Sequence, residues 1–206
     1  MLLAFIFLRD RDLRQRLNEF LSGAKKRMKR TQLQIRLNRE KRKRTVLLKE
    51  LGKKAWVDKV SDEKYKAFFH NLEHLEKQGS ERQAELQGIL SRIIDLQKKQ
   101  EDARKTTKQL LKLKEAGEVP DGHKIHEAKE EEKRLKKEIK DGNKKIKAGQ
   151  EFLKAIDRQK EEQFIEIGAL IDRGRPEHKD FLGIYVQIDK LNRNILHYLR
   201  EIEKFR

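Results

Sequence analysis

A chain of 206 residues that is 42% charged and 35% hydrophobic, with two prolines and eleven glycines, suits long helices and not a thick core. It holds no cysteine, which excludes disulfides, thiolate metal sites and cysteine nucleophiles and is compatible with a reducing compartment. The formal charge of +17 is unevenly spread: residues 24–54 carry fourteen basic and two acidic side chains, whereas residues 151–206 carry eleven of each. Such an excess reads as a local binding surface.

Residues 1–23 open the chain with an apolar run, Met1 to Leu8, followed at once by Arg9-Asp10-Arg11-Asp12. Eight helical residues reach about 12 Å, far short of a hydrocarbon core of roughly 30 Å. With no basic leading region and no small-residue cleavage site, the run does not read as a cleavable signal. Were translation to start upstream, it would read as the tail of a transmembrane helix with the basic segment on the cytoplasmic side. As written, Leu2, Leu3, Phe5, Ile6, Phe7, Leu8, Leu13, Leu17 and Phe20 form a candidate anchor for a membrane surface or a partner, or else cap the end of a helical rod.

Residues 24–60 form the strongly basic helix. Its candidate anion-binding residues are Lys25, Lys26, Arg27, Lys29, Arg30, Arg36, Arg39, Lys41, Arg42, Lys43 and Arg44, with Met28, Ile35 and Leu37 as a thin stripe between them. Near an anionic bilayer each basic side chain contributes about 1 kcal/mol before screening, so half the set would bind appreciably. Nucleic-acid phosphates offer the same charge, but no aromatic residues interleave the run to stack bases. A solvated helix face compensated by an acidic partner helix is the plain alternative.

Residues 61–173 are expected to form an antiparallel helical hairpin. Alternate steps of three and four from Tyr65 run through Phe68, Leu72, Leu75, Gly79, Arg82, Leu86, Ile89, Ile93, Leu96, Gln100, Ala103 and Thr107 to Leu110, a heptad seam. A second, weaker seam runs from Ala128 through Leu135, Ile139, Gly142, Ile146, Gly149, Leu153, Ile156 and Ile167 to Leu170. Each helix needs another to cover its stripe. The tip at 117–122, Gly-Glu-Val-Pro-Asp-Gly, suits a reversal: Gly117 for a left-handed helix end, Pro120 as a stop and Asp121 as the next cap. Arms of this length would extend roughly 75 to 85 Å.

Residues 174–206 carry an unbroken seam, Phe181, Ile184, Ile188, Leu191, Ile195, Tyr198, Ile202 and Phe205, on a C-terminal amphipathic helix. This helix also matches an earlier stretch without gaps at an offset of 116 residues: Leu51-Gly52 aligns with Ile167-Gly168, Tyr65 with Phe181, Phe69 with Tyr185 and Leu72 with Ile188. In each copy an apolar-Gly pair precedes a break and an aromatic-rich helix; the alternative is the self-similarity that any two amphipathic helices share by chance. The second break, Arg173-Gly174-Arg175-Pro176, reads as glycine ending one helix and proline opening the next. The first has a cap-like Ser61 and a negative first turn. Hairpin pairing would place both breaks together, with Trp56, Tyr65, Phe68, Phe69, Phe181 and Tyr185 in one aromatic cluster. The apolar-Gly, break, aromatic-helix element resembles that of bacterial coiled-coil proteins ending in a zinc ribbon, which a cysteine-free chain cannot build.

The fold class expected is thus all-α: an elongated antiparallel coiled-coil helical hairpin with flanking N- and C-terminal helices. No phosphate loop, nucleophile elbow or dinucleotide fingerprint occurs. His70-Asn71-Leu72-Glu73-His74 resembles the H-x-x-E-H signature of inverted zinc metallopeptidases, with Glu151 a conceivable third ligand. Those enzymes set the motif in a water-excluding cleft, whereas here Leu72 lies on the seam of a narrow helix, and His123 and His126 make a weaker case. No catalytic residue, cofactor or metal is assigned. The reading is a non-enzymatic scaffold or adaptor, tethered by its N-terminal apolar and basic region to an anionic membrane surface or a protein partner. It would lie in the cytoplasm or at the inner membrane face and self-associate or pair with another coiled-coil chain. A nucleic-acid-binding helical protein using residues 25–54 is the alternative. An N-terminal amphipathic helix joined to long basic helices is similar to membrane-remodelling proteins of the phage-shock and ESCRT-III type, from which the break at 59–61 and the tip near 120 depart.

Overall fold

The computed structural model describes residues 2–60, 62–116 and 122–205, with side chains from residue 22 onward. It comprises four helices, α1 (Leu2–Val57), α2 (Glu63–Glu115), α3 (Gly122–Gly174) and α4 (Leu182–Glu203), and no strand among the described residues. The segments 1–23 and 24–60 therefore share one helix as far as Val57, and the break after it is a turn. Ser61 and the reversal at Gly117–Asp121 lie outside the described residues. The chain divides into two compact units, residues 63–161 and residues 1–62 with 162–206. Residues 162–173, assigned by sequence to the hairpin, cluster in the second of these.

Within residues 63–161 the apolar periodicity explains the burial. None of the fourteen positions of the seam from Tyr65 to Leu110 is exposed; Tyr65, Leu72, Leu86, Ile93 and Thr107 are buried outright. Thr107 is tolerated because its hydroxyl donates to the Ala103 carbonyl at 2.9 Å. The glycines that weakened the second seam on paper make room for large residues of α2. A Cβ on Gly142 would stand 2.9 Å from Ile93, one on Gly149 2.5 Å from Leu86, and one on Gly79 3.9 Å from Ile156. The paired positions descend along α3 as they ascend along α2, and Glu76 meets Lys160 at 3.5 Å in the same sense. Tyr65 and Phe69 form a ring pair at 6.2 Å.

Within the other unit, α1 runs against residues 162–174 of α3 and against α4. Leu37, Leu48, Leu51 and Ala55 of α1, Ile167 and Ile171 of α3, and Phe181, Ile184, Tyr185, Ile188 and Leu191 of α4 are buried. Two glycines set the closest approach: a Cβ on Gly52 would run into the Phe164 carbonyl, and one on Gly168 into the Leu48 carbonyl. Gly52 and Gly168 lie 116 residues apart, as do Leu48 and Phe164, so the two approaches are images of each other under the internal repeat. Ring pairs here include His178 with Phe181, 4.4 Å apart, and Phe181 with Tyr185 at 6.2 Å.

The repeat extends to the helix ends, where it overturns one expectation. Gly174 is the last residue of α3 and Pro176 lies in the connection, six residues before α4; the left-handed position belongs to Arg175, at φ 44°. Its counterpart 116 residues earlier, Lys59, has φ 48°, and the N–H groups of Lys59 and Val60 close α1 by donating to Trp56 and Ala55. A left-handed arginine is held by its side chain. Its guanidinium forks onto Asp189 with one contact of 2.9 Å, reaches Asp172 at 3.4 Å and lies over the Tyr185 ring. That fork holds the Asp189 carboxyl below its usual range.

Candidate functional site

Helix α1 earns its length by supplying one buried stripe and leaving the rest of its circumference basic. Leu33, Leu37, Glu40, Arg44, Leu48, Leu51 and Ala55 recur at three- and four-residue steps and are buried or half-buried. Of the eleven candidate basic residues, Lys25, Lys26, Arg27, Lys29, Arg30, Arg36, Arg39, Lys41, Arg42 and Lys43 are exposed. Arg44 faces inward and donates to the buried carboxylate of Asp172 at 2.9 Å, so it belongs to the packing of α1 on α3. Lys43 bonds Glu40 at 2.6 Å, and Lys29 sits 5.3 Å from the centre of the Phe205 ring.

Glu40 is the one carboxylate drawn into this stripe. It accepts from Lys43 and, across the contact with α4, from Asn194 at 3.1 Å, and these bonds hold its carboxyl below the ordinary value. Helix α4 does little to neutralise α1, whereas residues 162–174 of α3 carry Glu162, Glu166 and Asp172 against Arg173. Helix α4 carries Asp189, Glu201 and Glu203 against Lys190, Arg193 and Arg200, and Asp189 and Glu201 already pair with Arg175 and Lys204. Apart from Lys43, which is paired with Glu40, the exposed cations of α1 stand against little compensating charge on α4.

Met28, Ile35 and Leu37 do not form one stripe. Leu37 is buried, whereas Met28 and Ile35 are 63% and 64% exposed, together with Val46 at 63% and Val57 at 74%. The signal for this second line was present in the spacing, 7, 11 and 11 residues, which are whole numbers of turns. The anchor residues Leu2, Leu3, Phe5, Ile6, Phe7, Leu8, Leu13, Leu17 and Phe20 have side chains outside the described residues.

The His70, Glu73 and His74 side chains are exposed on α2. Among the described residues a different set converges: donor atoms of Asp58, His178 and Asp180 lie within 4.8 Å of one another, at the turns that follow α1 and α3. An imidazole and two carboxylates are a donor set that divalent cations accept. The His178 Nδ1 is buried without a hydrogen-bond partner, and its Nε2 lies 4.0 Å from Asp58. Positions 120 residues apart carry no sequence motif, so only the fold brings them into view.

No helix among the described residues is long and apolar enough to cross a membrane. Compared with models of protein families, with curated proteins and with solved structures, the chain finds no match.

Proposed function

We propose that the protein is a non-enzymatic scaffold built on an antiparallel coiled-coil hairpin of α2 and α3, which attaches to an anionic membrane surface through α1. The hairpin reading is supported by the opposed pairing of Leu86 with Gly149 and Ile93 with Gly142, and by seams that avoid solvent along their whole length. The attachment rests chiefly on one observation: ten basic side chains stand exposed on a single helix whose inward stripe is already occupied. A cytoplasmic site at the inner membrane face fits this charge. Self-association, the further element of the proposal, would use apolar residues left outward on α4, such as Leu182 and Val186, 61% and 67% exposed.

Co-sedimentation with phosphatidylcholine vesicles, with and without phosphatidylglycerol, tests this. Binding is expected only with the anionic lipid and is expected to weaken as salt rises. Replacing Lys25, Arg39 and Arg42 by Gln should lower the affinity at least tenfold, on the order of 1 kcal/mol being lost per charge. Indifference to lipid together with a salt-sensitive gel shift of DNA or RNA would replace the membrane by nucleic acid.

A further inference from the structure

We infer that α1 lies along the lipid surface on one particular side, the side carrying Met28, Ile35, Val46 and Val57, with these four side chains entering the boundary between headgroups and acyl chains. The inference rests on the membrane reading above and adds which face makes contact and how.

Four large apolar residues lie more than three-fifths exposed along about 44 Å of one helix. Steps of 7 and 11 residues keep them in line, on the side of α1 turned away from Leu37, Leu48, Leu51 and Ala55. Between and beside them Lys25, Arg39 and Arg42 are exposed, and among the residues with described side chains Glu50 is the one carboxylate on that side.

An anionic bilayer satisfies both features at once. A second copy of α1 would bring like charges together and would need apolar contacts every three or four residues, where this line supplies one every two or three turns. Nucleic acid would neutralise the charges and leave the four apolar side chains in water. At an anionic bilayer the sparse apolar residues enter the interface while the long basic side chains reach back to the phosphates. Sparse apolar residues suit reversible adsorption, and charge supplies the rest.

The chain lacks cysteine, so single cysteines can carry an environment-sensitive dye at chosen points. Ile35→Cys and Val46→Cys report the proposed side; Gln34→Cys and Thr45→Cys, also exposed, lie about a quarter turn away. With vesicles containing phosphatidylglycerol, the dye at 35 and 46 should shift to the blue and be quenched by bromine-labelled acyl chains, while that at 34 and 45 should not. Ile35→Ser with Val46→Ser should weaken binding roughly tenfold without altering its salt dependence. Vesicle binding with the dye at 34 and 45 responding, or at none of the four, overturns this orientation and leaves the scaffold reading standing. No binding to anionic vesicles by the unaltered chain overturns both.

Discussion

At the scale of single residues, the decisive ones are glycines and two left-handed cations. Gly52 and Gly168 each face a backbone carbonyl that cannot step aside, so Gly52→Ala or Gly168→Ala should cost about 3 kcal/mol or more, at the upper end of what overpacking costs, in urea unfolding. Gly149 faces only the end of the Leu86 side chain, which can turn, and its alanine variant should cost less. Gly88 meets nothing, and Gly88→Ala should stabilise by up to about 1 kcal/mol through helix propensity alone. Lys59 holds φ 48° without an ion pair like that of Arg175, so Lys59→Gly should raise stability by roughly 0.5–1 kcal/mol. The sequence took Gly174 as the end of the helix because glycine is the usual residue there. It could not reveal that Asp189 and Asp172, on either side of the turn, would secure an arginine there.

At the scale of elements, the seams were readable because helix periodicity depends on neighbours three and four residues away. All eight positions from Phe181 to Phe205 are buried or half-buried, as the pattern required. What that pattern cannot show is which helix covers which, and the inward turn of Leu37 and Arg44 on α1 emerges only from contacts with α3 and α4. The basic surface was legible as composition; its division into a buried stripe, a basic rim and a line of exposed apolar residues was not. The α1–α4 contact also has a pH signature. Glu40 titrates below its ordinary value of 4.5, so its contribution is complete above that value and is lost as the pH falls through the lower folded-state value. Thermal unfolding should therefore occur at lower temperature as the pH drops below 4.5, and Glu40→Gln should flatten part of that slope.

At the scale of the whole molecule, the offset of 116 residues organises more than the sequence match announced. It relates the Gly52 and Gly168 approaches and the Lys59 and Arg175 helix ends, residues whose equivalence no composition or hydropathy profile records. The inter-helix contacts described, α1 with α3, α1 with α4 and α2 with α3, each join one copy to the other. A protease site inserted between residues 116 and 122 should thus yield, after cutting, two fragments that elute together and separate only in denaturant. Within the unit of residues 1–62 and 162–206, the Gly52–Phe164 and Gly168–Leu48 approaches exchange partners as those of a two-fold homodimer do. Held in one chain, the two halves meet at an effective concentration that dilution cannot lower.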